Sequence, residues 1–177
     1  MAVKREPLLE TRKFTVVRIA RPWPDGQIHQ REIVEHPGAV TIIPMVDASH
    51  VCLIKNFRVT AGQSLLELPA GTLETGEDPA LTARRELAEE TGYRAAHVQR
   101  LCQFYVSPGI LDEIMHLFVA SELTPGDIAL EPGECIEPHV VPWSEAVRMA
   151  MDGTIQDAKT MVGLLYYDRI RNAAAGS

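Results

Sequence analysis

"LPAGTLETGEDPALTARRELAEETGY", Leu68 to Tyr93, decides how the rest of this chain reads. Its first residues are extended and turn at Gly71. Asp78 followed by Pro79 then starts a helix, with Asp as N-cap and Pro at the first helical position. Ala80, Ala83 and Leu87 repeat at helical spacing, and Gly92 is a natural stop. The spacing predicts that Glu86, Glu89 and Glu90, at i, i+3 and i+4, share one face. That face lies at the C-terminal end of the helix, where the macrodipole disfavours negative charge by about 0.3–1 kcal/mol per carboxylate. Two carboxylates ~6 Å apart add roughly 2–3 kcal/mol of repulsion at an effective dielectric near 20.

Two readings compete for this cluster. One is a solvated acidic face, with Arg84 and Arg85 offsetting the charge and Arg85 reaching Glu89 at i+4. The other is a site for a hard divalent cation such as Mg²⁺, which takes carboxylate, water and phosphate oxygens. The second explains why the acid gathers at the disfavoured end. The turn at Pro69-Ala70-Gly71 could offer a backbone carbonyl as a further ligand. Glu77, just before the helix, could brace Arg85 by a bidentate pair.

The flanking sequence predicts a mixed fold. Residues 14–20, 27–36, 39–46, 50–57 and 64–69 read as strands before the helix, and 96–105 and 114–121 as strands after it. "ELTPGDIALEPGECIEP" reads as loop. "PWSEAVRMAMDG" and "DAKTMVGLLYYDRIRN" read as two closing helices, the first starting at Ser144 or the preceding turn. Strands, helix, strands and two helices give an α/β or α+β fold with a mixed sheet. Residues 1–37 are expected to form a separate N-terminal strand element, and 38–177 the main domain.

The chain has 177 residues, 46% hydrophobic, with a formal net charge of −7. This is enough to bury a core without disulfides. The charge argues against a general nucleic-acid or anionic-membrane binder, which needs clustered Lys and Arg. Cys52, Cys102 and Cys135 are far apart and form no CxxC pair, so three reduced thiols in or near the core are expected. "MAVKREPLLETRK" lacks an apolar h-region, and no apolar run approaches ~18 residues. A cytoplasmic protein without membrane contact is the expectation.

With its spacing, the opening stretch is Gly71, five residues, Glu77, seven residues, then Arg85-Glu86-Leu87-Ala88-Glu89-Glu90-Thr91-Gly92-Tyr93. This resembles the Nudix box, GX5EX7REUXEEXGU, with U a bulky apolar residue. Tyr93 stands where the family usually has an aliphatic side chain. "LELPAG", "SPGILDE", "HLFVA", "GECIEP" and Pro108, 16 residues after Gly92, resemble the ADP-ribose pyrophosphatase branch. The resemblance implies an α/β/α sandwich, Mg²⁺ or Mn²⁺, and hydrolysis of a nucleoside diphosphate sugar such as ADP-ribose to AMP and ribose 5-phosphate. It also implies a homodimer whose N-terminal strands cross to the partner.

Residue by residue, the resemblance implies metal ligation by Glu86, Glu90 and the Ala70 carbonyl, with Glu89 as helper or third ligand. Glu89, Glu134 and Arg85 are the expected catalytic set. The general base is left among Glu131, Glu134, Glu137 and a box glutamate. Glu134 matches an acidic position near the metals, whereas Pro132 stands where some relatives carry the base. Arg58 matches a phosphate-contacting position, and Asp112 and Glu113 lie in the loop expected to face the terminal ribose. Trp23 is read either as a stack for adenine across a dimer or as a packing anchor, and His116 as a satisfied sheet histidine. The box does not separate ADP-ribose from GDP-mannose-type substrates. Its intact glutamates weigh against a non-catalytic ADP-ribose sensor.

Overall fold

The computed structural model describes residues 4–130 and 133–175. The N-terminal part is a three-stranded antiparallel sheet of β1 (Lys4–Glu10), β2 (Thr15–Pro22) and β3 (Ile28–Glu35), in the order β1-β2-β3. β1 was not expected from the sequence. Its residues are all exposed and mostly charged, and Pro7 lies at a register shift in the β1–β2 pairing. An edge strand with a bulge at its proline hides from pattern reading.

The rest builds two further sheets. β4 (Ala39–Pro44) pairs in parallel with β9 (Ile114–Pro125) at the centre of a mixed sheet. β7 (Ala70–Thr72) and β8 (Tyr93–Tyr105) complete it in the order β7-β4-β9-β8. β5 (His50–Arg58), β6 (Gln63–Glu67) and β10 (Ile136–Pro142) form an antiparallel sheet in the order β10-β5-β6. β10 falls partly in the segment read as loop. Its Pro138 and Pro142 depress strand propensity, and an edge position tolerates them.

Three helices cover the sheets: α1 (Pro79–Thr91), α2 (Trp143–Asp152) and α3 (Ala158–Ala175). Alternation along β4 and β9 sends successive side chains to opposite faces. Val40, Ile42, Phe118 and Ala120 pack with Ala83 and Leu87 of α1. Ile43, Leu117 and Val119 pack on the other face with Leu53 of β5, Ala146 of α2 and Leu164 of α3. The central sheet is thus covered on both faces, and burying each large aliphatic there contributes about 1.5–3 kcal/mol. α2 starts at the turn before Ser144, with Pro142 at its N-cap. Of the three free cysteines, Cys52 is buried and Cys102 half-buried, but Cys135 is exposed. It lies in the loop before β10, outside the core.

The segment Glu67–Gly71 is tied down at almost every residue. Leu68 N–H donates to Thr160 Oγ1 of α3 at 2.7 Å, and Pro69 O accepts from Ile42 N–H at 2.9 Å. Ala70 N–H donates to Glu90 Oε2 of α1 at 2.9 Å. Thr160 is fully buried, so leaving the Leu68 N–H unpartnered there would cost about 1–3 kcal/mol. Ala70 and Gly71 lie in strand β7, paired with β4, rather than in the turn expected there, and the strap carries them into register with the acidic end of α1.

Candidate active site

α1 begins and ends as its sequence requires. Asp78 accepts from Ala80 N–H, Pro79 follows, and Gly92 closes the helix with φ 75°. No acid lies in its first turn and no base in its last. The carboxylates instead converge on the strap. Glu90 is 3% exposed, although it is a charged residue on a helix end. A Cβ on Gly71 would lie 1.9 Å from Glu86 Cδ, so the Glu86 carboxyl rests directly on the glycine backbone. No larger residue fits beside that carboxyl in this position.

Burial raises the Glu86 carboxyl above the ordinary glutamate range, and nearby Glu89 and Glu134 add to it while Arg85 opposes. Burial likewise pushes Glu90 up to about 8; the Ala70 N–H opposes this, and Glu86 and Glu134 reinforce it. Arg85 Nη1 lies 2.8 Å from Glu86 Oε1 and 2.9 Å from Glu89 Oε2. Burial disfavours the guanidinium's charge, but Glu86, Glu77 and Glu89 more than offset it. Glu77 braces Arg85 with one oxygen only, 3.5 Å from Nε. Its other oxygen accepts from Glu74 N–H at 3.1 Å, so the expected bidentate pair does not form.

Arg85, Glu86 and Glu90 line a cleft of about 450 Å³ together with Asn56, Arg58 and Glu134, whereas Glu77 and Glu89 are not among its lining residues. Arg12 and Lys13, from the turn between β1 and β2, also face it. Sequence reading missed both, because nothing local ties that turn to α1. A second chamber of about 290 Å³ shares Arg58, Ala70, Gly71 and Thr72 with the first and adds Glu113, Asp157 and Lys159.

Among the expected base candidates, exposed Glu134 joins the cleft, while Glu137 lines a separate groove with Lys55 and His139. Glu131 and Pro132 lie outside the described residues. Arg58 reaches both chambers but is also bonded to Glu67. Asp112 Oδ1 accepts from His36 N–H at 2.8 Å and so fastens the β3–β4 connection rather than pointing only at ligand space. Glu113 lies 3.6 Å from His36 Nδ1 and lines the second chamber. Trp23 sits in the turn between β2 and β3, with Arg21 4.8 Å and Arg31 5.6 Å from its ring centroid. His116 Nδ1 is 2.9 Å from Arg100 Nη2, a satisfied sheet histidine.

The profile of the NUDIX domain matches residues 35–162. The chain belongs to the NUDIX domain family. The ADP-ribose pyrophosphatase of Bacillus subtilis (strain 168) is 40% identical over 145 residues, 81% of this chain and 78% of that protein. The GDP-mannose pyrophosphatase of Cronobacter sakazakii (strain ATCC BAA-894) is 36% identical over 160 residues, 83% of this chain and 82% of that protein. A crystal structure of an ADP compounds hydrolase superposes with a TM-score of 0.84 over 98% of this chain and 95% of that one, at 23% identity, which shows a shared fold.

The Nudix residues present suit the divalent cation on which the family generally depends. Among the described residues no three acidic, imidazole or thiol side chains gather closely enough to enclose a metal ion. A divalent cation held there would take part of its oxygen ligands from water and substrate phosphates. Burial raises both carboxyls, so an added positive charge beside the β7 backbone would favour their ionised forms. A cation at Glu86, Glu90 and the Ala70 carbonyl would supply it.

Proposed function

We propose that this protein hydrolyses the pyrophosphate of ADP-ribose or a related nucleoside diphosphate sugar, with Mg²⁺ or Mn²⁺ as its metal. The observation that carries this reading is Glu90, a buried glutamate bonded to the Ala70 N–H, beside Glu86 seated on Gly71 at a cleft wall. Glu86, Glu90 and the Ala70 carbonyl would hold the metal. When bound, the metal neutralises diphosphate charge and lowers the pKa of attacking water.

The chain's own residues do the rest. Arg85 keeps Glu86 and Glu89 from repelling each other out of position. Glu134, in the same cleft, accepts the proton of the attacking water. Arg58 offers a planar donor fork to the diphosphate, and the second chamber accepts the sugar half, with Glu113 near its hydroxyls; Asp112 lines a separate pocket with Tyr105 and Leu111. ADP-ribose would yield AMP and ribose 5-phosphate.

A homodimer through residues 1–37 belongs to the same reading. Leu8, Leu9 and Ile28 of that sheet are 42%, 54% and 62% exposed, more apolar surface than a free sheet needs to show. No helix among the described residues is long and apolar enough to cross a membrane. A cytoplasmic location is proposed with it, since three unpaired cysteines fit a reducing compartment.

The test is a phosphatase-coupled phosphate-release assay with Mg²⁺ over ADP-ribose, other ADP-sugars, GDP-mannose, NADH and diadenosine polyphosphates. ADP-ribose is expected to give the highest kcat/KM. Preference for GDP-mannose would favour the specificity named for the Cronobacter relative. Tight ADP-ribose binding with no turnover of any compound would make the protein a sensor instead.

A further inference from the structure

Glu67 is fully buried, yet its carboxyl is held below the ordinary range. Burial opposes ionisation there, and two cations overcome it. Arg58 Nε donates to Glu67 Oε1 at 2.7 Å and Arg58 Nη2 to Oε2 at 2.6 Å. Lys159 Nζ, from the first turn of α3, donates to Oε2 at 2.5 Å. Lys159 in turn lies 3.0 Å from Asp157 Oδ1. None of these groups belongs to the Nudix box.

The geometry of the pair is one-sided. The Glu67 side chain is 1% exposed, whereas that of Arg58 is 41% exposed. Glu67 grips the guanidinium by its Nε–Nη2 edge. A planar guanidinium held by one edge turns its opposite corner, Nη1, away from that carboxylate. Arg58 lines both chambers, at the place where they share strand β7. A free arginine at a strand end would explore many rotamers, and a buried two-point grip removes that freedom before substrate arrives.

We propose that Glu67 is a positioning residue for substrate binding. It fixes Arg58 so that the outward corner of the guanidinium meets the diphosphate of a nucleoside diphosphate substrate. Lys159 donates to the same carboxylate from α3. This rests on the hydrolase reading above and adds to it a residue outside the Nudix box. The competing role is purely structural: Glu67 begins the strap that carries Ala70, so it could serve only to hold strand β7.

The two roles separate in kinetics. A binding contact made equally in ground and transition states appears in KM, whereas a loosened strap disturbs the metal site and appears in kcat. The experiment compares Glu67→Gln, Arg58→Ala, Arg58→Lys and the Glu67→Gln/Arg58→Ala double variant, with ADP-ribose and varied Mg²⁺. Glu67→Gln is expected to raise KM about 10- to 100-fold, the loss of a charge-assisted contact. Its kcat and its half-activating Mg²⁺ concentration stay near wild type. In the Arg58→Ala background, Glu67→Gln adds little, because it acts through Arg58. Arg58→Lys keeps the charge but loses the fork, so its KM stays close to that of Arg58→Ala.

A fall in kcat or in Mg²⁺ affinity with KM unchanged, full additivity in the double variant, or a wild-type KM for Arg58→Lys would each overturn the proposal. If Glu67→Gln does not fold, Arg58→Lys against Arg58→Ala decides alone. If the wild type turns over none of the panel compounds, the hydrolase reading fails by itself. ADP-ribose dissociation constants from calorimetry then replace KM in the same comparison.

Discussion

Glu90→Gln should lower turnover by at least about 10²–10³-fold while the chain stays folded. Glutamine has nearly the same shape, and its amide oxygen can still accept from the Ala70 N–H, which now bonds to Glu90 Oε2 at 2.9 Å. What is lost is a negative charge, 3% exposed, at the cleft wall. In the metal-free protein, burial first, with Glu86 and Glu134, pushes this carboxyl from 4.5 up to about 8, against the Ala70 N–H. A carboxyl whose folded-state pKa is raised favours the fold while it is protonated. Its contribution is fully present below the unfolded value of 4.5 and is lost as pH rises through about 8. The loss amounts to about 3–5 kcal/mol. Metal-free wild type should therefore melt at a lower temperature at pH 8 than at pH 5. Glu90→Gln should show a shallower dependence, the remainder coming from Glu86. Thermal melts in chelator and steady-state rates check both halves. A variant with wild-type rate would remove Glu90 from the metal site.

Gly71→Ala should separate the site from the fold. The Gly71 backbone lies outside the left-handed region, so alanine brings no torsional strain there. Its Cβ, however, would lie 1.9 Å from both Cδ and Oε1 of Glu86. The side chain, not the backbone, has to give, and the carboxyl moves off its seat. The melting temperature should change little. The Mg²⁺ concentration for half-maximal activity should rise about 10- to 100-fold, as when a ligand loses its support. Circular dichroism melts and Mg²⁺ activation curves measure the two effects. An unchanged activation curve would mean that the seating of Glu86 on Gly71 is irrelevant to metal binding.

The features legible in the sequence were local ones. Asp78, Pro79 and Gly92 act within one turn of the residues they cap, so α1 could be read directly. The spacing of Glu86, Glu89 and Glu90 fixes their common face by helix geometry alone. β4 and β5 announced themselves through dense β-branched residues, since most of their positions are buried, whereas the three-residue β7 reads from sequence as a turn at Gly71. β1 and β10 were illegible for a shared reason. Each is an edge strand containing proline, at a bulge in β1 and at Pro138 and Pro142 in β10. The wall around the acid cluster was hidden differently. Glu67 and Lys159 are 92 residues apart, and no local pattern signals that pairing. Arg12 and Lys13 likewise reach the cleft only through the docking of the N-terminal sheet. Glu77 shows the limit of motif reading: spacing brought it to Arg85, but a backbone N–H claimed the second oxygen.

The most direct measurement is anomalous diffraction from crystals soaked with Mn²⁺ and a non-hydrolysable ADP-ribose analogue. A peak bounded by Glu86, Glu90 and the Ala70 carbonyl is expected, with the analogue's diphosphate against it and Arg58 on the far side. Mn²⁺ bound elsewhere, with Glu86 still paired only to Arg85 and the analogue outside the cleft, would contradict the metal-site reading on which the proposed hydrolysis depends.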